Sequence, residues 1–337
     1  MIAKFINKNL LTAYCLLLTA FGFSQDIQFS QHEAAPLLLN PAMTGNFDGK
    51  ARISNCYKNQ WKGISDNNTL GASADISFRK DTAQKDFVSM GIVVLHDAVG
   101  NNVFSTSLYM MSFSFHTKNN SNNQYFSAGV LGGAMQKSVN FSNITWDNQY
   151  QYGNIDPSLP SGESNAIHKT SFGDFSAGAL WQYIPNNNFN LYSGISFFHL
   201  TRPNQSFIPG GTDNLDSKVS FHCGASISLS KSGKTFFLPK GFFLKQGPSH
   251  QYAIGGLFKQ KFHQSSSGET ALSIGCMYRI NAVAIISQLQ LRNFTFGFSY
   301  DVNASSFGNS FGTSGGPEIS LTYLYAQKKS SAPKFKK

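Results

Sequence analysis

The sequence predicts an all-β fold, a transmembrane outer-membrane antiparallel β-barrel of about 14 strands, on three observations. Apolar and polar residues alternate with a strict period of two. In KVSFHCGASISLS, Val219, Phe221, Cys223, Ala225, Ile227 and Leu229 oppose Lys218, Ser220, His222, Gly224, Ser226, Ser228 and Ser230. The repeating segments are mostly ten residues or longer, near the about 9–11 that a tilted strand needs to cross a bilayer. Their polar parity is small (Ser, Gly, Thr, Asn) rather than charged, which suits a crowded lumen better than an open water face.

Residues 1–24 read as an export signal, with Lys4 and Lys8 ahead of an apolar run from Leu10 to Phe23 and small Ser24 at its end. Residues 25–48 form an N-terminal segment, expected in the periplasm. Its core, QFSQHEAAPLLLNPAMTG, is apolar in the middle and interrupted by Pro36 and Pro41, so it is neither a long helix nor a central strand. Two roles fit it. As a latch, Leu37, Leu38 and Leu39 pack at the periplasmic mouth, the prolines fix an extended course and Asn40-Pro41-Ala42-Met43 turns into the first strand. As a docking strip, the same stretch, with Phe29, anchors a periplasmic partner.

The barrel itself is expected over residues 49–326, with strands at 50–58, 69–79, 87–96, 103–116, 124–137, 171–184, 188–198, 217–230, 236–246, 250–262, 269–280, 283–291, 293–303 and 317–326. An even strand count puts both termini on one side; with that side periplasmic, the longest connections (59–68, 138–170, 199–216 and 304–316) all face outward, as expected of outer-membrane barrels. Trp61, Trp181, Tyr183, Tyr323 and Tyr325 lie near segment ends, where aromatic girdles meet the interface. Residues 327–337 are a basic tail.

That tail and the signal hold much of the formal net charge of +10: Lys4 and Lys8 at one end, Lys328, Lys329, Lys334, Lys336 and Lys337 at the other. Nucleic-acid binding needs basic residues interleaved with aromatics over one surface, so a nucleic-acid partner is not expected. Charged residues are only 13% of the chain against about 25% in ordinary globular proteins, which leaves outer-membrane lipid as the natural neighbour. Cys56, Cys223 and Cys276 form neither a CxxC pair nor a metal-ligand spacing and read as small packing residues.

No enzyme, metal site or cofactor is expected. His96 and Asp97 are adjacent on a strand and so point to opposite faces, and Asp97 with Gly100 reads as a turn former. Lys218 and His222 share an inward parity and could meet Asp174, Glu269, Arg279 or Asp301 in the lumen. The IPGGTDN stretch lacks the Gly-Lys-Ser/Thr ending of a phosphate loop, and residues 142–165 lack a calcium-loop series. An outer-membrane porin or small-molecule transporter is the alternative function that composition leaves open.

QDIQFSQHEAAPLLLNPAMTG, Gln25 to Gly45, resembles the N-terminal signature of the PorP/SprF family of Bacteroidota outer-membrane proteins through Gln25, Asp26, Phe29, Ser30, Gln31, Asn40, Pro41, Ala42 and Gly45. YKNQWKGI, GIVVLHDAVG, FSAGVLGGAMQKSVNFSNI, LYSGISFFHLTRPNQSF, FGFSYDVNASSF and GGPEISLTYLY follow in the family's order, and His32-Glu33 departs from its usual Tyr-Met. The resemblance implies a barrel component of the type IX secretion and gliding machinery. It also implies secreted or surface-displayed cargo, including adhesins, with a C-terminal sorting domain, and periplasmic secretion components as partners.

Overall fold

The structure is a computed structural model that describes residues 26–60, 66–79, 84–100, 102–119, 123–140, 144–160, 162, 169–265, 268–280, 282–303 and 315–325. Fourteen antiparallel strands close into one barrel. They are β1 (Ala51–Gln60), β2 (Asn67–Ser77), β3 (Asp86–Val99), β4 (Phe104–Asn119), β5 (Gln124–Val139), β6 (Lys169–Asn186), β7 (Phe189–Phe198), β8 (Lys218–Ser228), β9 (Thr235–Gln246), β10 (Ser249–Ser265), β11 (Gly268–Arg279), β12 (Ala282–Arg292), β13 (Phe294–Asn303) and β14 (Gly316–Tyr325). Each pairs with its neighbours in sequence, and β1 closes on β14 through Cys56 opposite Ser320 and Lys58 opposite Glu318. Closure leaves no edge strand, so the wall's backbone groups find partners within the wall.

Side-chain parity follows the alternation. On β8, Lys218, Ser220 and His222 are buried while Phe221 is exposed. On β13, Phe294, Phe296 and Phe298 face out, and Ser299 and Asp301 face in. The strand ends that bound the three longest gaps between strands, Val139 and Lys169, Phe198 and Lys218, and Asn303 and Gly316, all lie at one rim, and the ends that bound the shorter gaps after β2, β4, β6, β8, β10 and β12 lie at the other. Trp61, the expected signal at residues 1–24 and the expected basic tail at 327–337 lie outside the described residues.

Four expectations need correction. The cysteines divide: Cys56 is buried inside, whereas Cys223 and Cys276 are exposed on the outward parity. Asp97 is not a turn residue, because β3 runs on to Val99 and Asp97 accepts a hydrogen bond from Thr69 Oγ1 at 2.6 Å. The lumen is not lined by small polar residues alone: Val93, Leu95, Met110, Leu131 and Met135 on β3 to β5, and Phe242, Leu244, Leu257, Met277 and Ile286 on β9 to β12, are buried. Apolar side chains facing inward need something apolar to pack against.

What they pack against is the fourth correction. The N-terminal segment is not at the periplasmic mouth but inside the barrel. At one end Asp26 meets His199, Lys218 and Gln246, all at the rim of the long connections. At the other, Lys50 N donates to Tyr325 O at 2.8 Å, at the opposite rim, where β1 begins. The segment therefore crosses the lumen from rim to rim, and its first described residue lies at the end opposite Tyr325 rather than beside it.

Candidate functional site

The segment enters from the long-connection rim through a charge cluster. Asp26 receives Lys218 Nζ at 2.5 Å and His199 Nε2 at 2.7 Å, and His199 Nδ1 meets Asp174 at 2.7 Å. Burial opposes ionisation of Asp26, but Lys218 and His199 outweigh it and hold the carboxyl well below the usual range. Burial likewise disfavours a charged His199, and the Asp26 charge with hydrogen bonds to Asp174 and Asp26 overrides it, pushing the ring up to about 9. With a carboxylate on each ring nitrogen, the imidazolium donates at both and staples the segment to the 199–217 connection.

Deeper in, Ser30 and Gln31 dock on the last two strands. Their backbone N–H groups donate to Glu318 Oε2 and Oε1 at 2.8 and 2.7 Å, and Ser30 Oγ donates to Asp301 at 2.6 Å. Lys58 (3.1 Å) and Arg279 (3.3 Å) balance Asp301, and Lys58 also lies 3.8 Å from Glu318, so both carboxylates that receive the segment are ion-paired. Gln31 is fully buried, with Ser320 Oγ donating to its Oε1 at 2.8 Å. Glu33, one of the departures from the family pattern, pairs with Lys240 at 2.7 Å. Phe29 packs with Ala34, Ala35, Cys56 and Leu95 in a second apolar nucleus.

The leucines differ from the expected extended course. Pro36–Leu39 is one helical turn, with Pro36 at its start, where a missing N–H costs nothing, and Asn40 N closing it on Pro36 O at 3.0 Å. Turning rather than extending sends Leu37, with no exposed surface, into Val93, Met110, Leu131, Met135, Phe198 and Leu215. Leu38 packs beside that cluster, and Leu39 O accepts from Ser196 Oγ at 2.8 Å.

Asn40 and Pro41 then press on a seam of wall glycines. Asn40 Oδ1 accepts from Ala42 N at 2.9 Å, capping the turn Pro41–Met43. Its Nδ2 donates to Ala179 O (3.0 Å) and Ile195 O (3.2 Å) and meets His222 Nε2 at 3.1 Å. A Cβ on Gly178 would overlap Asn40 Oδ1, and one on Gly129 would overlap Pro41 O. Thr44 Oγ1 meets Ser112 Oγ at 2.5 Å, and Gly45, at φ +69°, donates its N–H to Asp75, which is ion-paired with Arg52. Gly45 satisfies two demands at once, since a side chain there would be strained and would also strike Ser89.

Phe29, Leu37, Leu38, Leu39, Asn40 and Pro41 are thus brought together as parts of one lumenal plug. Lys218 and His222, whose expected partners were Asp174, Glu269, Arg279 or Asp301 on the wall, instead bind the plug. Two features escaped sequence reasoning: the acidic pair Asp301 and Glu318 as receptors for Ser30 and Gln31, and the glycine seam. Both had a signal, because buried carboxylates on an inward parity need donors and inward glycines make room. Among the described residues, no group of three or more His, Cys, Asp and Glu side chains is arranged to hold a metal ion.

Beside the plug, toward the long-connection rim, lies a cavity of about 280 Å³. Leu38 and Ile27 of the segment form one wall, and Leu108, Leu131, Met135 and Phe198 lie opposite. Polar side chains line it as well, among them the Asp26 cluster and Lys137.

The barrel resembles the Ralstonia pickettii toluene transporter TbuX (TM-score 0.52, 8% identity, 87% of this chain and 94% of that one). A Pseudomonas aeruginosa FadL homologue overlays with a TM-score of 0.49 at 12% identity, over 85% of this chain and 93% of that one. At such identity the first likeness concerns the fold alone and the second bears no weight. No curated protein matches the chain. A family model for the type IX secretion system membrane protein PorP/SprF matches residues 21–323, and the chain belongs to that family, as an outer-membrane barrel component of type IX secretion.

Proposed function

We propose that the protein supports secretion or surface attachment of large proteins with C-terminal sorting domains as a plugged, non-enzymatic anchor, and that its lumen is not the conduit. The supporting observation is the N-terminal segment, which binds walls on opposite sides of the lumen with Gln31, Leu37, Asn40, Ala42 and Thr44 wholly buried. A folded cargo domain has no room beside it. In this reading the leucines are an internal latch, because Leu37 has no surface to offer a partner. The long-connection rim faces outward, by the usual asymmetry of such barrels, and meets cargo. Periplasmic secretion components meet the rim of short turns, where β14 ends at Tyr325.

A disulfide lock tests the reading. Thr44 Oγ1 and Ser112 Oγ are 2.5 Å apart, so Thr44→Cys with Ser112→Cys places two thiols within bonding geometry across plug and wall. The oxidised pair is expected to export sorting-domain cargo at the wild-type level, while a strain lacking the protein does not. Export that stops on oxidation and returns with reductant overturns the proposal.

A further inference from the structure

The cavity between the plug and β3 to β5 has no place in the anchoring role. Most of its lining side chains are apolar, Leu38, Leu108, Leu131 and Met135 among them, and its ionisable groups form a polar margin. At about 280 Å³ it falls just short of the roughly 300–1,000 Å³ range of ligand pockets.

The charges in that margin are unequally satisfied. Lys218 and His199 are neutralised by Asp26 and Asp174. Lys137, only 9% exposed, touches the neutral Gln205 Oε1 at 2.5 Å and forms no ion pair among the described residues, Asp26 and Asp213 attracting it only from beyond ion-pair distance. The remaining lining carboxylate, Asp97, is opposite Thr106, which is opposite Lys137. Asp97 is taken up by Thr69 Oγ1 at 2.6 Å instead, and it forms no ion pair with Lys137 among the described residues. A buried ammonium with one neutral acceptor is incompletely paired, and an anion reaching it through an aliphatic cavity completes it.

We propose that this cavity binds a single-chain amphiphile with an anionic headgroup, its chain between Leu38 and Leu131 and its headgroup on Lys137. The volume admits one medium-length chain and excludes a two-tailed lipid. Because Leu38 and Ile27 belong to the plug, an occupant touches plug and wall together.

Calorimetric titration of the intact protein in amphipol with decanoate, decanol and decyltrimethylammonium tests this. Decanoate is expected to saturate one site per barrel, decanol to bind at least about tenfold more weakly for want of the charge-assisted contact, and the cation not to bind. Lys137→Met, chosen to keep the stem's bulk, is expected to erase the preference for decanoate over decanol. Leu131→Trp, which fills the cavity, is expected to abolish binding of both, with folding of each variant checked by heat-modifiable migration in SDS. Absence of saturable decanoate binding to folded wild type overturns the proposal. So does a Lys137→Met protein with the preference intact, or a folded Leu131→Trp protein that binds as wild type does.

Discussion

Gln31 and Glu318 are 287 positions apart in the chain, and the backbone N–H of the first donates to the carboxylate of the second at 2.7 Å in a fully buried contact. The N-terminal signature is thus held by the closing strand. Glu318→Ala leaves two N–H groups and part of the Lys58 charge uncompensated, and it is expected to cost about 3–5 kcal/mol. The effect would be read as a lower temperature of conversion in SDS, together with protease cleavage inside 26–46. Ser320→Ala removes one neutral hydrogen bond to Gln31 and is expected to cost about 1 kcal/mol.

The glycine seam gives a coupled pair. Gly178→Ala forces Asn40 from its socket, and Asn40→Ala alone removes the donor to Ala179 O and Ile195 O. Each single change is expected to cost about 1–3 kcal/mol. The double variant should cost less than the sum, because without the amide the new methyl has nothing to strike. Additive costs in a double-mutant cycle would show that Asn40 does not occupy the seam.

Docking of Asp26 should depend on pH in two windows. His199 is raised from 6.5 to about 9 in the folded protein, so its contribution is complete below 6.5 and is lost as pH rises through about 9. Asp26 is lowered below its ordinary 3.8, so its contribution is present above that value and is lost as pH falls through the lower folded value. Hydrogen exchange over residues 26–29 is therefore expected to be slow between about pH 4 and 6.5, after correction for its intrinsic pH dependence, and to lose protection toward pH 9. His199→Gln should flatten the alkaline limb.

The barrel was legible because its signal is local: a period of two in each strand, such as Phe294, Phe296 and Phe298 against Gly297 and Ser299, needs no knowledge of distant residues. The plug was not, for the opposite reason. Asn40 is recognised by Ala179, Ile195 and His222, and Ser30 by Asp301 and Glu318, all contacts between residues more than 100 positions apart. Two prolines suggested an extended course, but Pro36 begins a helical turn instead. The doubly apolar character of VSMGIVVLHD on β3 was the available hint, since a strand facing lipid on one side and water on the other has no use for Val93 and Leu95 turned inward.

Outward and inward substitutions should fail for different reasons. Phe296→Arg puts a cation on the lipid face and is expected to cost about 2–4 kcal/mol near mid-membrane. Arg at Gly297 instead enters the space of Gln31 Oε1, so it should expel the plug while the barrel still assembles. Heat-modifiable migration reads the first effect and protease accessibility of residues 26–46 the second.

The plug is tested most directly by conductance in planar bilayers, comparing the folded wild-type protein with a variant whose residues Asp26–Asn46 are deleted. Wild type is expected to be silent, because the segment spans the lumen with its central side chains buried, and the deletion is expected to open steps on the order of those of a water-filled barrel pore. Open-pore conductance from the folded wild-type protein, unchanged by the deletion, would contradict a lumen closed by its own N-terminal segment.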